Sequence, residues 1–338
     1  MQVTWLTSGE IVIKDGKPVS HFASARYRIC IPAVELSREG VTSKLLSLPH
    51  VPDISEAART IAGDVLVVSK SLDASTERIV EAAKSRGIPV VADFCDNHFD
   101  HPALGSHYER LAELADAIVV NTPAMNRVVE WVTNRSAMVV VDPYEGPRGV
   151  PRFAPPAGTL RMVWFGNVVH AELLFRFLRS MASLECLARA IEFELVTELT
   201  PSFLAQVDTL RTILAPHGIR LITTEWSITG TWSALAAADF AVIPSEDSDE
   251  TRVKSPNRLI ESLWAGRAVA AYPLPAYEEF NAWTYLAKDL KQAIGKLLHS
   301  ATAVEHQIEQ AQKYIEHHYS PIVAAQQWRL VFEQVIRN

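Results

Sequence analysis

The chain of 338 residues has only three cysteines, Cys30, Cys95 and Cys186. They are far apart and show no CxxC spacing, so neither a disulfide framework nor a thiolate zinc site is expected, and all three are expected as buried thiols. No run reaches the roughly 18 apolar residues that a bilayer span needs. The N-terminus MQVTWLTSGE also lacks the basic stretch and apolar core of a signal peptide. The expectation is a cytoplasmic protein with at most peripheral contact at the inner face of the cell membrane, and no basic amphipathic helix supports even that contact. Positive charge is not in excess: 32 Lys and Arg against 39 Asp and Glu give a net charge of −7, which argues against a nucleic-acid partner. Internal repeats and low-complexity tracts are also missing.

What is present is apolar residue in quantity, 48% of the chain, enough for two packed cores. Short apolar stretches at 3–6, 41–47, 65–69, 90–93, 117–121 and 138–141 read as strands. Helical spacing at 27–39, 76–86, 108–115 and 123–133 falls between them. The segment 145–158, EGPRGVPRFAPPAG, is too rich in Pro and Gly for either element. Alternation then resumes, with strands at 161–165, 193–197, 220–223, 240–244 and 268–271. Strand and helix in turn predict an α/β protein of two doubly wound, Rossmann-like lobes. The last apolar helical pattern covers 321–336.

The densest information lies in TWSALAAADFAVIPSEDSDETRVKSPNRLIESLWAGRAVAAY, residues 232–272. A buried strand leads through a polar loop to a helix N-terminus, where unpaired N–H groups and the helix dipole favour an anion. Pro256 suits the first helical turn and Ser255 the N-cap. Arg252 and Lys254 add positive charge, and Glu261 lies where a carboxylate can accept hydrogen bonds from vicinal hydroxyls, as acidic groups do on a ribose. The plain alternative is an ordinary strand–helix unit with Glu261 solvated and Lys254 on the surface.

These residues, Asp239 before an apolar strand, Pro244-Ser245, an acidic loop, Lys254-Ser-Pro-Asn-Arg-Leu-Ile-Glu261 and Trp264-Ala-Gly266, resemble the donor half of GT-B glycosyltransferases, in particular family 4-like and family 1-like transferases that use nucleotide sugars. The resemblance implies two lobes with a cleft between them: an acceptor-binding lobe at 1–150, a nucleotide-sugar-binding lobe at 151–318, and a C-terminal helix at 319–338 crossing back to the first lobe. It implies that Lys254, Ser255 and Asn257 face the donor diphosphate and Glu261 the ribose, that Gly166-Asn167 forms a tight turn beside the donor, and that Glu198 and Trp226 lie near the nucleobase. It implies a metal-independent hexosyltransferase of bacterial polysaccharide or glycoconjugate assembly, with a nucleotide sugar as co-substrate, no cofactor, and a carbohydrate or lipid-linked acceptor. One departure is visible. Many retaining members carry a second Glu where this chain has Val253, so the resemblance leaves stereochemistry open.

Two further clusters need a place. Asp93 to His101, ADFCDNHFDH with its leading Ala92, follows an apolar strand, and Asp96 or His98 fits a general base for an acceptor hydroxyl. As a metal site its spacing matches no standard ligand set, and as plain structure Asp100 caps a turn while His101-Pro102 fixes a loop. Arg26, Tyr27 and Arg28 open the first long helix, where they can hold an acceptor phosphate or carboxylate. The alternatives there are the donor diphosphate, or a solvated helix start with Tyr27 packed inward. For function, a nucleotide-sugar epimerase or hydrolase on the same fold and a non-catalytic bilobal sugar binder remain alternatives.

Overall fold

The computed structural model describes residues 1–153, 158–182 and 190–337; Cys186 and part of the 145–158 segment lie outside them. The chain divides into two compact units, one of Met1–Glu145, Arg252–Ser255 and His317–Asn338, the other of Gly146–Thr251 and Pro256–Glu316.

The first unit runs through β1 (Gln2–Thr7), a hairpin of β2 (Val12–Lys14) and β3 (Lys17–Val19), then β4 (Thr42–Ser47), β5 (Val65–Ser69), β6 (Val90–Phe94), β7 (Ala117–Val120) and β8 (Met138–Val139). Six strands form a sheet in the order β4-β1-β5-β6-β7-β8, every pairing parallel. Side chains alternate across a strand, so an unbroken apolar run such as Val65-Leu66-Val67-Val68 must be covered on both faces. Leu66, Val68, Ala92, Phe94 and Val120 pack on one face with Ile79, Tyr108, Met125 and Val253. Val3, Trp5, Val65, Val67 and Val91 pack on the other with Ile29, Leu36, Ala325, Trp328 and Phe332. The Pro321–Arg337 helix therefore belongs to this unit, with the Trp328 ring edge-on to Trp5 at 5.1 Å.

Two local features that the sequence patterning did not indicate have clear causes. The polar stretch 8–20 contains the hairpin, because Asp15 (φ 51°) and Gly16 (φ 74°) adopt the left-handed conformations that an Asp-Gly turn provides. The helix expected over 27–39 is Ala23–Ala25, a π-helical turn at Arg26–Cys30, and Ile31–Arg38. Ile31 N–H bonds to Arg26 O, and Pro32 next to it has no N–H with which to restore the α register.

The second unit contributes β9 (Leu160–Phe165), β10 (Ile191–Thr197), β11 (Ile219–Glu225), β12 (Phe240–Ile243), β13 (Ala268–Ala271) and the short β14 (Tyr285–Leu286), which apolar patterning did not indicate. Their order is β11-β10-β9-β12-β13-β14, again parallel throughout. The chain steps outward from β9 to β11, then returns to the other side of β9 for β12. Such a reversal opens a crevice at the C-terminal ends of the two strands. In the first sheet the reversal lies between β1 and β5. Gly266 (φ 77°) ends the Asn257–Trp264 helix; a Cβ there would lie 2.2 Å from Val150 O, so only glycine fits.

Candidate active site

At the reversal of the second sheet, β9 runs into Gly166 and Asn167. A Cβ on Gly166 would meet Trp164 Cζ2 at 3.4 Å and Arg258 Nη1 at 3.5 Å, which is near-ordinary packing, so the chain itself does not force the tight backbone approach expected there. The same contact places the Arg258 guanidinium beside the turn. Sequence reasoning assigned the positive charge to Arg252 and Lys254 and passed over Arg258, although it stands inside Ser-Pro-Asn-Arg-Leu-Ile-Glu and the arginine was the signal. Asn167 caps the next turn, its side-chain oxygen accepting from Val169 N at 3.1 Å. Glu198 is exposed just beyond β10. Trp226 packs on the core cluster of Val163, Phe165, Val196 and Leu235, so its ring is largely structural. Thr197 Oγ1, at the end of β10, is buried without a hydrogen-bond partner.

The helix after β12 begins at Asn257, with Pro256 in the N-cap position and no side-chain cap. This corrects the expectation that Ser255 caps it: the cap position falls one residue later, on a side chain with no acceptor. Glu261 lies on this helix and is only 7% exposed. It stands there among the buried Leu259, Ile260, Ser262, Leu263 and Trp264. Arg252 is exposed in the Thr251–Val253 turn.

The C-terminal end of the first sheet's central strands carries ion pairs. Arg28 is buried, its Nε 3.1 Å from both Asp93 oxygens, its Nη2 2.7 Å from Asp93 and its Nη1 2.8 Å from Asp142 and 2.5 Å from Val140 O. Burial alone would lower its pKa, but Asp93 and Asp142 outweigh this and raise it. Arg26 donates to Glu145 at 3.0 Å and to His21 O at 2.9 Å, and Tyr27 is buried. The acceptor role expected for Arg26, Tyr27 and Arg28 is therefore corrected. The two guanidiniums are bound inside the unit; Tyr27 packs inward, as the alternative had it, but the helix start is buried and not solvated.

Asp96, just past β6, takes Lys254 Nζ at 2.5 Å and also pairs with Lys70. Burial would raise its pKa, yet Lys70 and then Lys254 pull it below the ordinary carboxylate value. A carboxylate so stabilised in its charged form is a weaker proton acceptor than an ordinary one. Lys254, expected on the diphosphate alone, is anchored here. Lys70, at the reversal of the first sheet and in the left-handed region (φ 53°), was missed. Only its place directly after an apolar strand could have marked it. His98 is half-buried, edge-on to Tyr108 at 5.4 Å and to His101 at 5.8 Å. Burial first, then Lys70, lowers its pKa, so the imidazole is neutral at pH 7.

Cys30 and Cys95 are buried thiols, and burial pushes the Cys30 thiol up to about 12. Among the described residues no group of three or more His, Cys, Asp or Glu is arranged to hold a metal ion, and no helix is long and apolar enough to cross a membrane.

No protein-family model matches the chain, and no curated protein matches it. Solved structures do. Alr3699/HepE of Anabaena in complex with UDP superposes with a TM-score of 0.72 at 11% identity, over 99% of this chain and 100% of that one. A glycosyltransferase from Rickettsia africae ESF-5 gives 0.68 at 12%, over 100% and 99%. The chain has the GT-B fold. An alpha-glucosyltransferase in complex with UDP-glucose and DNA containing an abasic site gives 0.61 at 12%, over 98% and 99%. That DNA complex overturns the exclusion of nucleic acid drawn from net charge. A sum over the whole surface does not report the local placement of cations, which is what a phosphate backbone meets.

Proposed function

We propose that this GT-B chain is a glycosyltransferase that moves a hexose from a nucleotide-sugar donor to an acceptor hydroxyl, in the polysaccharide or glycoconjugate assembly that the sequence resemblance implies. The observation that carries the reading is the likeness to HepE, which spans 99% of this chain and was solved with UDP, and with UDP and glucose. TarM of S. aureus and the alpha-glucosyltransferase were also solved with UDP, which supports uracil as the base.

In this reading Glu261 accepts hydrogen bonds from the ribose, and Glu198 and Trp226 border the nucleobase. Gly166, Asn167, Ser255 and Asn257 receive the diphosphate, while Arg252, Lys254 and Arg258 neutralise the charge that develops as it leaves. The first unit binds the acceptor. His98, neutral at pH 7, takes the proton from the attacking hydroxyl. No metal step is needed in this scheme.

Incubation with UDP-glucose and a panel of carbohydrate, lipid-linked and nucleic-acid acceptors tests it, with UDP release and product followed together. Transfer that requires an acceptor is expected. Donor altered without acceptor would make the chain an epimerase or hydrolase, and donor bound but intact with every acceptor would make it a binder.

A further inference from the structure

We infer that Asp96 is a positioning residue: with Lys70 and Thr122 it holds the Val253-Lys254 segment at the C-terminal end of the first sheet's central strands and so sets the place of the Lys254 ammonium for the donor diphosphate. The inference rests on the reading of residues 252–261 as donor-binding.

Three contacts within the first unit converge on this short segment. Val253 is 1% exposed and lies in the core cluster with Leu6, Phe94 and Met125. Its carbonyl accepts from Thr122 Oγ1 at 2.9 Å, while Thr122 Oγ1 itself accepts from Met125 N at 3.1 Å. Lys254 Nζ is 2.5 Å from Asp96. Lys70 pairs with the other Asp96 oxygen.

The anchor is itself rigid. Asp96 O accepts from the buried Tyr108 hydroxyl at 3.1 Å, and Asn121 Nδ2 donates to Cys95 O, also at 3.1 Å. Lys70 adopts a left-handed conformation (φ 53°), unfavourable for a non-glycine residue, and from it pairs with Asp96. A lysine free in solution has rotamer entropy to lose on meeting a phosphate. Ordering it beforehand through Asp96 lowers that cost at the moment of binding. Lys70 has a second effect: by favouring the ionised form of Asp96 it preserves the anchor.

The test is a double-mutant cycle of Asp96→Asn and Lys254→Ala, with UDP and uridine affinities measured by calorimetry. Each single variant is expected to weaken UDP binding about tenfold, the double variant no more than either alone, and uridine binding is expected to stay unchanged. Thr122→Val removes two neutral hydrogen bonds, the one to Val253 O and the helix cap on Met125 N, and serves as a second variant should Asp96→Asn fold poorly; it is expected to weaken UDP by roughly threefold. Additive losses, or unchanged UDP affinity in folded Asp96→Asn and Thr122→Val, would overturn the inference. So would a fall in turnover for Asp96→Asn at unchanged UDP affinity, which would assign Asp96 to proton transfer. A wild-type chain that binds no nucleoside diphosphate would instead remove the donor reading, and this inference with it.

Discussion

Asp93 and Asp96 stand at the same end of β6 in mirror-image settings. Asp93, with Asp142, brackets a single arginine; Asp96 is bracketed by two lysines. The first network is sealed, with side-chain exposures of 1%, 0% and 6% for Arg28, Asp93 and Asp142, and the Arg28 guanidinium also lies over the Trp328 ring at 5.5 Å. The second is half-open, with Asp96 at 11% and Lys70 and Lys254 at 29% and 30%. Burial separates their tasks. A sealed network can only support the fold, because its groups reach nothing else, whereas a half-open one fixes a cation where a ligand can meet it.

The largest effect expected from breaking this contrast is on the sealed side. Arg28→Met leaves Asp93 and Asp142 without their shared cation, and denaturant unfolding should show a loss of about 3–5 kcal/mol. An unchanged midpoint would mean that the sealed network does not support the fold. Next comes chemistry at the half-open side. His98→Gln is expected to reduce turnover roughly 10²–10⁴-fold with little change in UDP affinity. Because the folded pKa of His98 lies below the ordinary 6.5, the folded state binds this proton less readily than the unfolded chain. The stability it contributes is present above 6.5 and is lost as pH falls through the folded value. The acidic limb of kcat/KM should therefore lie below pH 6.5, and a limb above it would contradict the assignment.

A smaller effect sharpens the comparison further. Asp96→Asn should cost about 1–2 kcal/mol at pH 7, less than Arg28→Met because solvent screens the two part-exposed lysines. The folded pKa of Asp96 is depressed, so its contribution is present above the ordinary carboxylate value of 3.8 and disappears as pH falls through the folded value. The stability gap between wild type and variant should close on acidification. A gap independent of pH would show that packing, and not charge, is at work.

Much of the fold was legible because it is periodic. Runs such as Val65-Leu66-Val67-Val68 and Phe240-Ala-Val-Ile243 announce two-sided parallel sheets, and Thr122-Pro123 announces the start of the Pro123–Thr133 helix. Residues 232–272 were legible as a strand, loop and helix in sequence order. The ion pairs were not, because Arg28 with Asp93 and Lys254 with Asp96 join residues far apart in the chain, and no local pattern records which charge will be neutralised by which. Arg26-Tyr27-Arg28 thus looked like an exposed anion site and is a buried one already filled by carboxylates. Arg258 was visible as a letter, but its place beside Gly166 depends on the reversal of strand order between β9 and β12. The hairpin at Asp15-Gly16 carried a local turn signal that its polar surroundings masked.

The central claim, that residues around the Asn257–Trp264 helix hold the nucleotide of a sugar donor, is tested most directly by calorimetric titration of UDP into wild type and Glu261→Ala. The account predicts saturable UDP binding to wild type and an affinity at least roughly tenfold weaker in a folded Glu261→Ala, since a hydrogen bond to a charged group contributes about 1.5–3 kcal/mol. Equal UDP affinity in the two folded proteins, or no binding to wild type, would contradict it.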